Sequence, residues 1–236
     1  MNLIILLLAL LPAAIIHEYS HGYVAWKLGD PTAKQSGRLT LNPIPHIDPV
    51  GTVLVPLGLI LVQLIFGGGL FIIGWAKPVP IDPRYFQDSE RGMLQVGLAG
   101  PLSNIMMMSL AAAIGHLLVP FYINFFLGRS GGFFFQFAQN GLRTLIYFFG
   151  VFVIINIILG IFNLIPMPPL DGSRILNYFL SGRGKQIMAQ IEQYGFLIVL
   201  ALLWLGGDLF FWVIQQIWSF VLGPNWINLI AAGGML

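Results

Sequence analysis

Long runs of apolar residues alternate with short polar stretches along the chain. Four runs approach or reach the roughly 20 residues that a membrane-spanning helix needs, and they cover residues 3–26, 94–120, 142–166 and 194–222. The last is interrupted by Gly206, Gly207 and Asp208. A fifth run, residues 50–74, contains Pro56 and three consecutive glycines at 67–69. The pattern predicts an all-α protein that crosses a membrane several times, with polar, proline-rich loops or short strands at 27–49 and 75–90.

Composition leads to the same class of protein. Hydrophobic residues make up 57% of the 236 residues, charged residues 8%, and the mean hydropathy is +0.85. Soluble domains carry about 25% charged residues, so this chain cannot hydrate the surface of a soluble enzyme. Its 11 basic and 9 acidic residues are too few for a nucleic-acid-binding patch. The expected surroundings are therefore the lipid bilayer, with no nucleic acid as partner.

The whole chain, residues 1–236, is expected to form one integral membrane domain. No basic residue precedes Lys27, which is unlike a secretory signal, so we expect the first apolar run to be retained. A catalytic core is predicted over about residues 1–180 and a C-terminal helical region over about 186–236. The path of residues 194–236 stays open between one crossing with a re-entrant piece and two short helices.

His17, Glu18 and His21 form an H-E-x-x-H sequence inside the first apolar run. Residues four apart share one face of a helix, so both imidazoles can bind a single zinc ion. Glu18 is placed to act on a water molecule bound to that ion. The alternative is a polar patch satisfied between helices, but an unpaired Glu at membrane depth is costly without a metal.

A catalytic zinc ion needs a third protein ligand besides two histidines. The chain has no cysteine, so this ligand must be His, Asp or Glu. Asp171 follows a proline-rich break of the kind tolerated at membrane depth only where it is buried or lines a cavity. It could instead cap the next helix. Asp208 is the other candidate, and the residues alone leave the choice open.

Three motifs in a fixed order resemble the site-2 protease family of intramembrane zinc metalloproteases, peptidase family M50. They are His17-Glu18-x-x-His21, Gly100-Pro101-x-x-Asn104 and Asn163-x-x-Pro166-x-x-x-Leu170-Asp171-Gly172. The resemblance extends over about residues 5–180 and is nearest to the small prokaryotic branch without a PDZ domain. In other branches the segment corresponding to residues 50–74 is short or absent.

The resemblance implies a function and a set of site residues. It implies a three-helix catalytic core that hydrolyses a peptide bond in or next to a transmembrane segment of a membrane-protein substrate, in the plasma membrane of a prokaryote. It further implies one Zn²⁺ per chain, a general base and two substrate-binding residues. The implied zinc ligands are His17, His21 and Asp171, and the implied general base is Glu18. The implied substrate-binding residues are Asn104 and Asn163. The alternative for the two asparagines is hydrogen bonding between helices.

The positions of the motifs predict a topology. His21 and Asp171 both stand near the C-terminal ends of apolar runs, so those two helices must run in the same direction to share one ion. The run over residues 94–120 already supplies the one return crossing between them. Residues 50–74 must therefore enter and leave the membrane on one side, as a re-entrant or surface-lying segment. In this arrangement nine of the 11 basic residues share one face, and only Arg129 and Arg143 lie on the other. The positive-inside rule makes the nine-residue face, and with it the active site, cytoplasmic.

Residues 36–42 alternate in polarity and predict a short strand, with residues 75–79 as its partner. Such a membrane-associated β-hairpin could hold an unwound substrate by strand addition, or be merely structural. His46 and Asp48 follow this strand and could reach the active site or belong to a solvated turn.

A function of a different class is also open: a non-proteolytic membrane protein that keeps the metal site, either a metal transporter or a pseudoprotease acting as a chaperone. A transporter needs polar residues along a path through the membrane, whereas here they concentrate at one depth. The sequence predicts no oligomeric state.

Overall fold

The computed structural model describes residues 3–66 and 74–231, and this part of the chain is predominantly helical. Four helices are long and apolar enough to cross a membrane, which confirms the predicted multi-pass helical protein. The described α-helices are α1 (Leu3–Lys27), α2 (Thr32–Gln35), α3 (Val55–Phe66), α4 (Ser89–Phe125), α5 (Phe133–Asn163), α6 (Asp171–Phe179), α7 (Gly182–Glu192) and α8 (Gly195–Ala231).

Helices α1, α4 and α5 pack on one another, and α8 packs against α4 and α5. Small side chains, including the buried Ala9 and Ala13 of α1 and Ala111 and Ala112 of α4, let the helix backbones approach closely, as is usual in membranes. Farther along α4, a Cβ atom on Gly115 would overlap the indole ring of Trp226. In the core, small residues of one helix therefore pack against large side chains of the neighbouring helix.

Helix α8 is kinked at Gly223, which has a φ of +71° and is followed by Pro224. The sequence suggested a break at Gly206 and Gly207 instead, and this prediction is wrong. Both glycines lie inside the continuous helix, because the membrane offers their backbone groups no partner other than the helix itself.

In the segment over residues 50–74, residues 50–66 are helical. Residues Pro49–Leu54 form a wide π-helical turn that leads directly into α3, of which Pro56 is the second residue. Gly51 O accepts a hydrogen bond from Trp75 N at 3.1 Å, and Thr52 Oγ1 donates to Trp75 O at 2.8 Å. The two ends of the segment are thus in contact, while the glycines at 67–69 lie outside the described residues.

The predicted β-hairpin is not confirmed, since no strand occurs among the described residues. Gly37 adopts a φ of +68° after α2, and Arg38 N turns back to donate to Ala33 O at 2.9 Å, so this backbone forms a turn. In place of a partner strand, Lys77 N donates to His46 O at 2.9 Å. Arg38 Nη2 also donates to the carbonyls of Lys77 and Pro78, at 3.1 Å each.

Candidate metal centre

His17 and His21 on α1 meet Asp171, the first residue of α6, and all three side chains are buried. The Nε2 atoms of the two histidines are 3.0 Å apart. Asp171 Oδ2 lies 3.1 Å from each of these nitrogens. The preceding residue, Leu170, occupies the N-cap position of α6, so the Asp171 carboxylate does not cap the helix but faces the two imidazoles.

Two glycines of α4 let these groups converge. A Cβ atom on Gly100 would lie 2.6 Å from His17 Nε2 and closer still to His21 Nε2. A Cβ atom on Gly97 would lie 3.2 Å from the backbone oxygen of Asp171. The surface of α4 that faces the site therefore has no room for side chains, and α1 and α6 approach its bare backbone.

A row of amide groups fixes the orientation of the His17 ring. Phe152 O can only accept, so Asn156 must turn Nδ2 toward it, at 2.8 Å. Asn156 Oδ1 then accepts from Asn104 Nδ2 at 2.9 Å, and Asn104 Oδ1 lies 2.6 Å from His17 Nδ1. The proton of His17 therefore belongs on Nδ1, an inference from the acceptors along the row, and Nε2 presents a lone pair to the site.

The ring of His21 is oriented by a backbone group. Its Nδ1 lies 2.7 Å from Val96 O of α4, which can only accept, so Nδ1 carries the proton and Nε2 is again unprotonated. Hydrogen bonds of this kind from the distal ring nitrogen to a carbonyl are the usual way in which proteins fix metal-binding histidines.

The three facing atoms fit a bound metal ion. With both Nε2 atoms unprotonated, nothing donates to Asp171 Oδ2, which is buried without a hydrogen-bond partner. Three lone-pair donors 3.0–3.1 Å apart repel one another unless a cation lies among them, and tetrahedral zinc separates its nitrogen and oxygen ligands by about 3.3 Å.

Glu18 lies beside the metal group but is not part of it. Its side chain is half-buried, and Oε2 accepts a hydrogen bond from Val79 N at 3.0 Å. The same stretch of backbone is held by Arg38 at Lys77 and Pro78. The stretch over residues 75–79 therefore orients the Glu18 carboxylate and leaves Oε1 with no hydrogen bond among the described residues.

The two predicted substrate-binding asparagines differ in their surroundings. Asn104 is fully buried, and both ends of its amide are used by His17 and Asn156, which is the hydrogen bonding between helices that the sequence left open as the alternative. Asn163 is half-buried and donates from Nδ2 to Leu159 O at 2.9 Å. Its Oδ1 has no hydrogen bond among the described residues.

The remaining candidates lie outside the metal group. Asp208 is exposed on α8, so the structure does not support it as an alternative ligand. Asp48 Oδ1 accepts from Val50 N and Gly51 N and caps the turn that leads to α3. His46 is buried with Nε2 2.9 Å from Thr40 O, and both residues thus shape the loop.

Asn156 is the functional-site residue that sequence reasoning missed. It belongs to none of the three motifs and is the only polar residue between Tyr147 and Asn163 of α5, with 1% of its surface exposed. The one signal that could have indicated it is the presence of an amide in such a helix, because polar side chains there usually hydrogen-bond across to another helix.

These features define a multi-pass helical membrane protein with a buried His-His-Asp centre. The model of peptidase family M50 matches residues 5–206, so the chain belongs to that family. It is 37% identical over 197 residues to "Putative zinc metalloprotease YwhC" of Bacillus subtilis, which covers 84% of this chain and 78% of that protein.

More distant relatives are similar over almost the whole chain. "Putative zinc metalloprotease Rip2" of Mycobacterium tuberculosis H37Rv is 30% identical over 223 residues, which covers 94% of this chain and 74% of that protein. The protein of the same name from Mycolicibacterium smegmatis is 28% identical over the same shares. No solved structure matches the chain.

Proposed function

We propose that this protein is an intramembrane zinc metalloprotease that hydrolyses a peptide bond in or next to a transmembrane segment of a membrane-protein substrate. The observation that carries the proposal is the convergence of three lone-pair donors, two Nε2 atoms and one carboxylate oxygen, at 3.0–3.1 Å. Membership of peptidase family M50 and the names of the relatives support both the metal and the reaction.

His17, His21 and Asp171 would hold one zinc ion per chain. Zinc in such a site polarises a carbonyl group and lowers the pKa of a water molecule. Glu18 accepts the proton of the attacking water and delivers it to the leaving amine. Its hydrogen bond from Val79 N keeps the carboxylate in one orientation for both transfers.

Asn163 is proposed to bind the substrate backbone. Leu159 O can only accept, and therefore fixes Nδ2 toward the helix, so Oδ1 is the end of the amide that is left for a substrate. A carbonyl oxygen accepts a hydrogen bond from a substrate N–H, and it cannot stabilise an oxyanion. We therefore propose that Asn163 contacts a substrate N–H and not the developing oxyanion.

The proposed orientation has the metal centre near the cytoplasmic face of a prokaryotic plasma membrane. The C-terminal ends of α1 and α5 and the N-terminal ends of α4 and α8 lie on one side, where Lys185 of α7 contacts Glu90 of α4. The basic residues on this side favour the cytoplasm. Contact between Gly51 and Trp75 supports residues 50–74 as a segment that enters and leaves on that same side.

The proposal is tested with purified full-length protein and a reporter that carries a transmembrane segment. We expect Glu18→Gln to keep about one zinc per chain and to lose cleavage by about 10²–10⁴-fold, the usual contribution of general-base catalysis. Glu90→Gln, the same chemical change at an exposed position of α4, is the matched control. Wild-type cleavage by Glu18→Gln would overturn the mechanism, and zinc flux into vesicles without any cleavage would favour a transporter.

A further inference from the structure

Asp208 and Gln215 form a polar stripe on the side of α8 that faces away from the other helices. They are seven residues apart, or about two turns and 10 Å along the axis, and therefore point in nearly the same direction. Both are exposed. Their neighbours on this face are the tryptophans Trp204 and Trp212, which are 85% and 58% exposed.

The opposite face of α8 makes the contacts with the protein. Ile214 is 2% exposed in the main core, and Phe210 packs against Phe162 of α5 with ring centroids 6.0 Å apart. Because the polar stripe is turned away from this packed face, it projects into the region that lipid occupies around a membrane helix.

The depth of Asp208 makes its exposure unusual. Asp208 lies 13 residues after Gly195, the first residue of α8, and 15 residues before the kink at Gly223, so about 20 Å of helix extends on either side of it. Half of a bilayer's hydrocarbon thickness is about 15 Å, so Asp208 stands near the middle of the membrane. Its side chain is too short to reach either interface, and it has no hydrogen-bond or charged partner among the described residues. Such residues are rare in contact with lipid.

We propose that the polar stripe docks a transmembrane helix of another protein, one that carries an arginine or lysine side chain at the depth of Asp208. A carboxylate at this depth needs a donor, and a basic side chain supplies both the opposite charge and the hydrogen bond. Gln215, two turns away, adds an amide that can hydrogen-bond across the same pair of helices.

A second copy of this chain fits the polar stripe less well. Copies inserted in the same orientation pair about an axis along the membrane normal, and such a two-fold interface brings identical residues together. Asp208 would then face Asp208 of the other copy, like charge against like charge. Charge complementarity therefore favours a cationic partner helix.

The test measures energy transfer in phosphatidylcholine vesicles between the full-length chain and a synthetic membrane-spanning peptide. The chain has no cysteine, so Ser130→Cys, in the exposed loop between α4 and α5, gives one labelling position. The peptide is a leucine- and alanine-rich helix of about 20 residues with a single arginine at its centre, and the control peptide has leucine there. Glu18→Gln is included in every protein sample so that the readout is binding alone and is independent of proteolysis.

We expect the arginine peptide to bind about tenfold more tightly than the leucine peptide, the effect of one interhelical polar contact. Asp208→Leu should remove this difference and Gln215→Leu should reduce it. Phe220→Leu, at a lipid-facing position that is 90% exposed, should leave it unchanged.

Two results would overturn the proposal. One is equal binding of the two peptides, or a preference for arginine that survives Asp208→Leu. The other is energy transfer between labelled copies of the protein that Asp208→Leu abolishes, because the polar stripe would then belong to an interface between copies.

Discussion

Asn104 Oδ1 lies 2.6 Å from His17 Nδ1 and holds the imidazole so that its other nitrogen faces His21 and Asp171. The amide of Asn104 is itself oriented by Asn156. The direction of the Nε2 lone pair that His17 presents to the candidate metal centre is therefore set by residues on α4 and α5.

This relationship predicts that Asn104→Ala weakens zinc binding by about 10- to 100-fold, the usual effect of losing a hydrogen bond to a metal-binding histidine. The measurement is competition with a zinc chelator in detergent. Asn156→Leu should have a smaller effect in the same direction, because Asn104 keeps its contact with His17 but loses the group that orients it. Unchanged zinc affinity in both variants would contradict the proposed alignment of the ring.

Gly100→Ala should abolish zinc binding while the helices remain assembled. The added methyl group would occupy the space between the two imidazoles, within 2.6 Å of His17 Nε2, and it cannot move aside because it belongs to the backbone of α4. Zinc content and helical circular dichroism are measured together. Gly141→Ala, where the new Cβ meets nothing within 4 Å, is the control that should retain zinc.

Arg38→Met should lower cleavage by about tenfold or more at normal zinc content. The buried guanidinium holds the carbonyls of Lys77 and Pro78, and the backbone next to them positions Glu18 through Val79 N. Small displacements of a catalytic group carry rate losses of this size. Arg84→Met, at a side chain that is 88% exposed, should change neither the cleavage rate nor the zinc content. A loss of zinc in Arg38→Met would mean that Arg38 supports the metal instead of Glu18.

Asn163→Ala should reduce kcat/KM for a transmembrane reporter without altering zinc affinity. Removal of Oδ1 deletes one proposed hydrogen bond to the substrate backbone. A hydrogen bond of about 1 kcal/mol corresponds to a decrease in kcat/KM of about three- to tenfold. The contrast with Asn104→Ala is the informative result. If the zinc affinity falls in Asn163→Ala and the cleavage rate per bound zinc does not, Asn163 belongs with the metal-orienting residues.

The main helices and the positions of the metal group could be predicted because the signals are local or strongly constrained by the membrane. Apolar runs of sufficient length have few alternatives to a helix in lipid, and the spacing of His17 and His21 places both on one face of α1. The choice of Asp171 over Asp208 needed the resemblance to a family, since two aspartates in apolar surroundings look alike until their exposure is known.

Other features depend on contacts that leave no local pattern. The alternation of polar and apolar residues over 36–42 is equally compatible with the turn that Gly37 and Arg38 form. The partner of Asn104 lies 52 residues away on α5, and nothing near Asn104 indicates whether it faces substrate or another amide. The adjacent Gly206 and Gly207 of α8 predict a helix break from the sequence, but a helix in lipid keeps its hydrogen bonds through such a pair.

The zinc content of two aspartate variants tests the central claim most directly. Metal analysis of purified protein after dialysis against a weak chelator should find about one zinc per chain in the wild type and in Asp208→Ala, and close to none in Asp171→Ala. Full zinc retention by Asp171→Ala, or its loss only in Asp208→Ala, would contradict the His17, His21 and Asp171 centre from which the proposed chemistry follows.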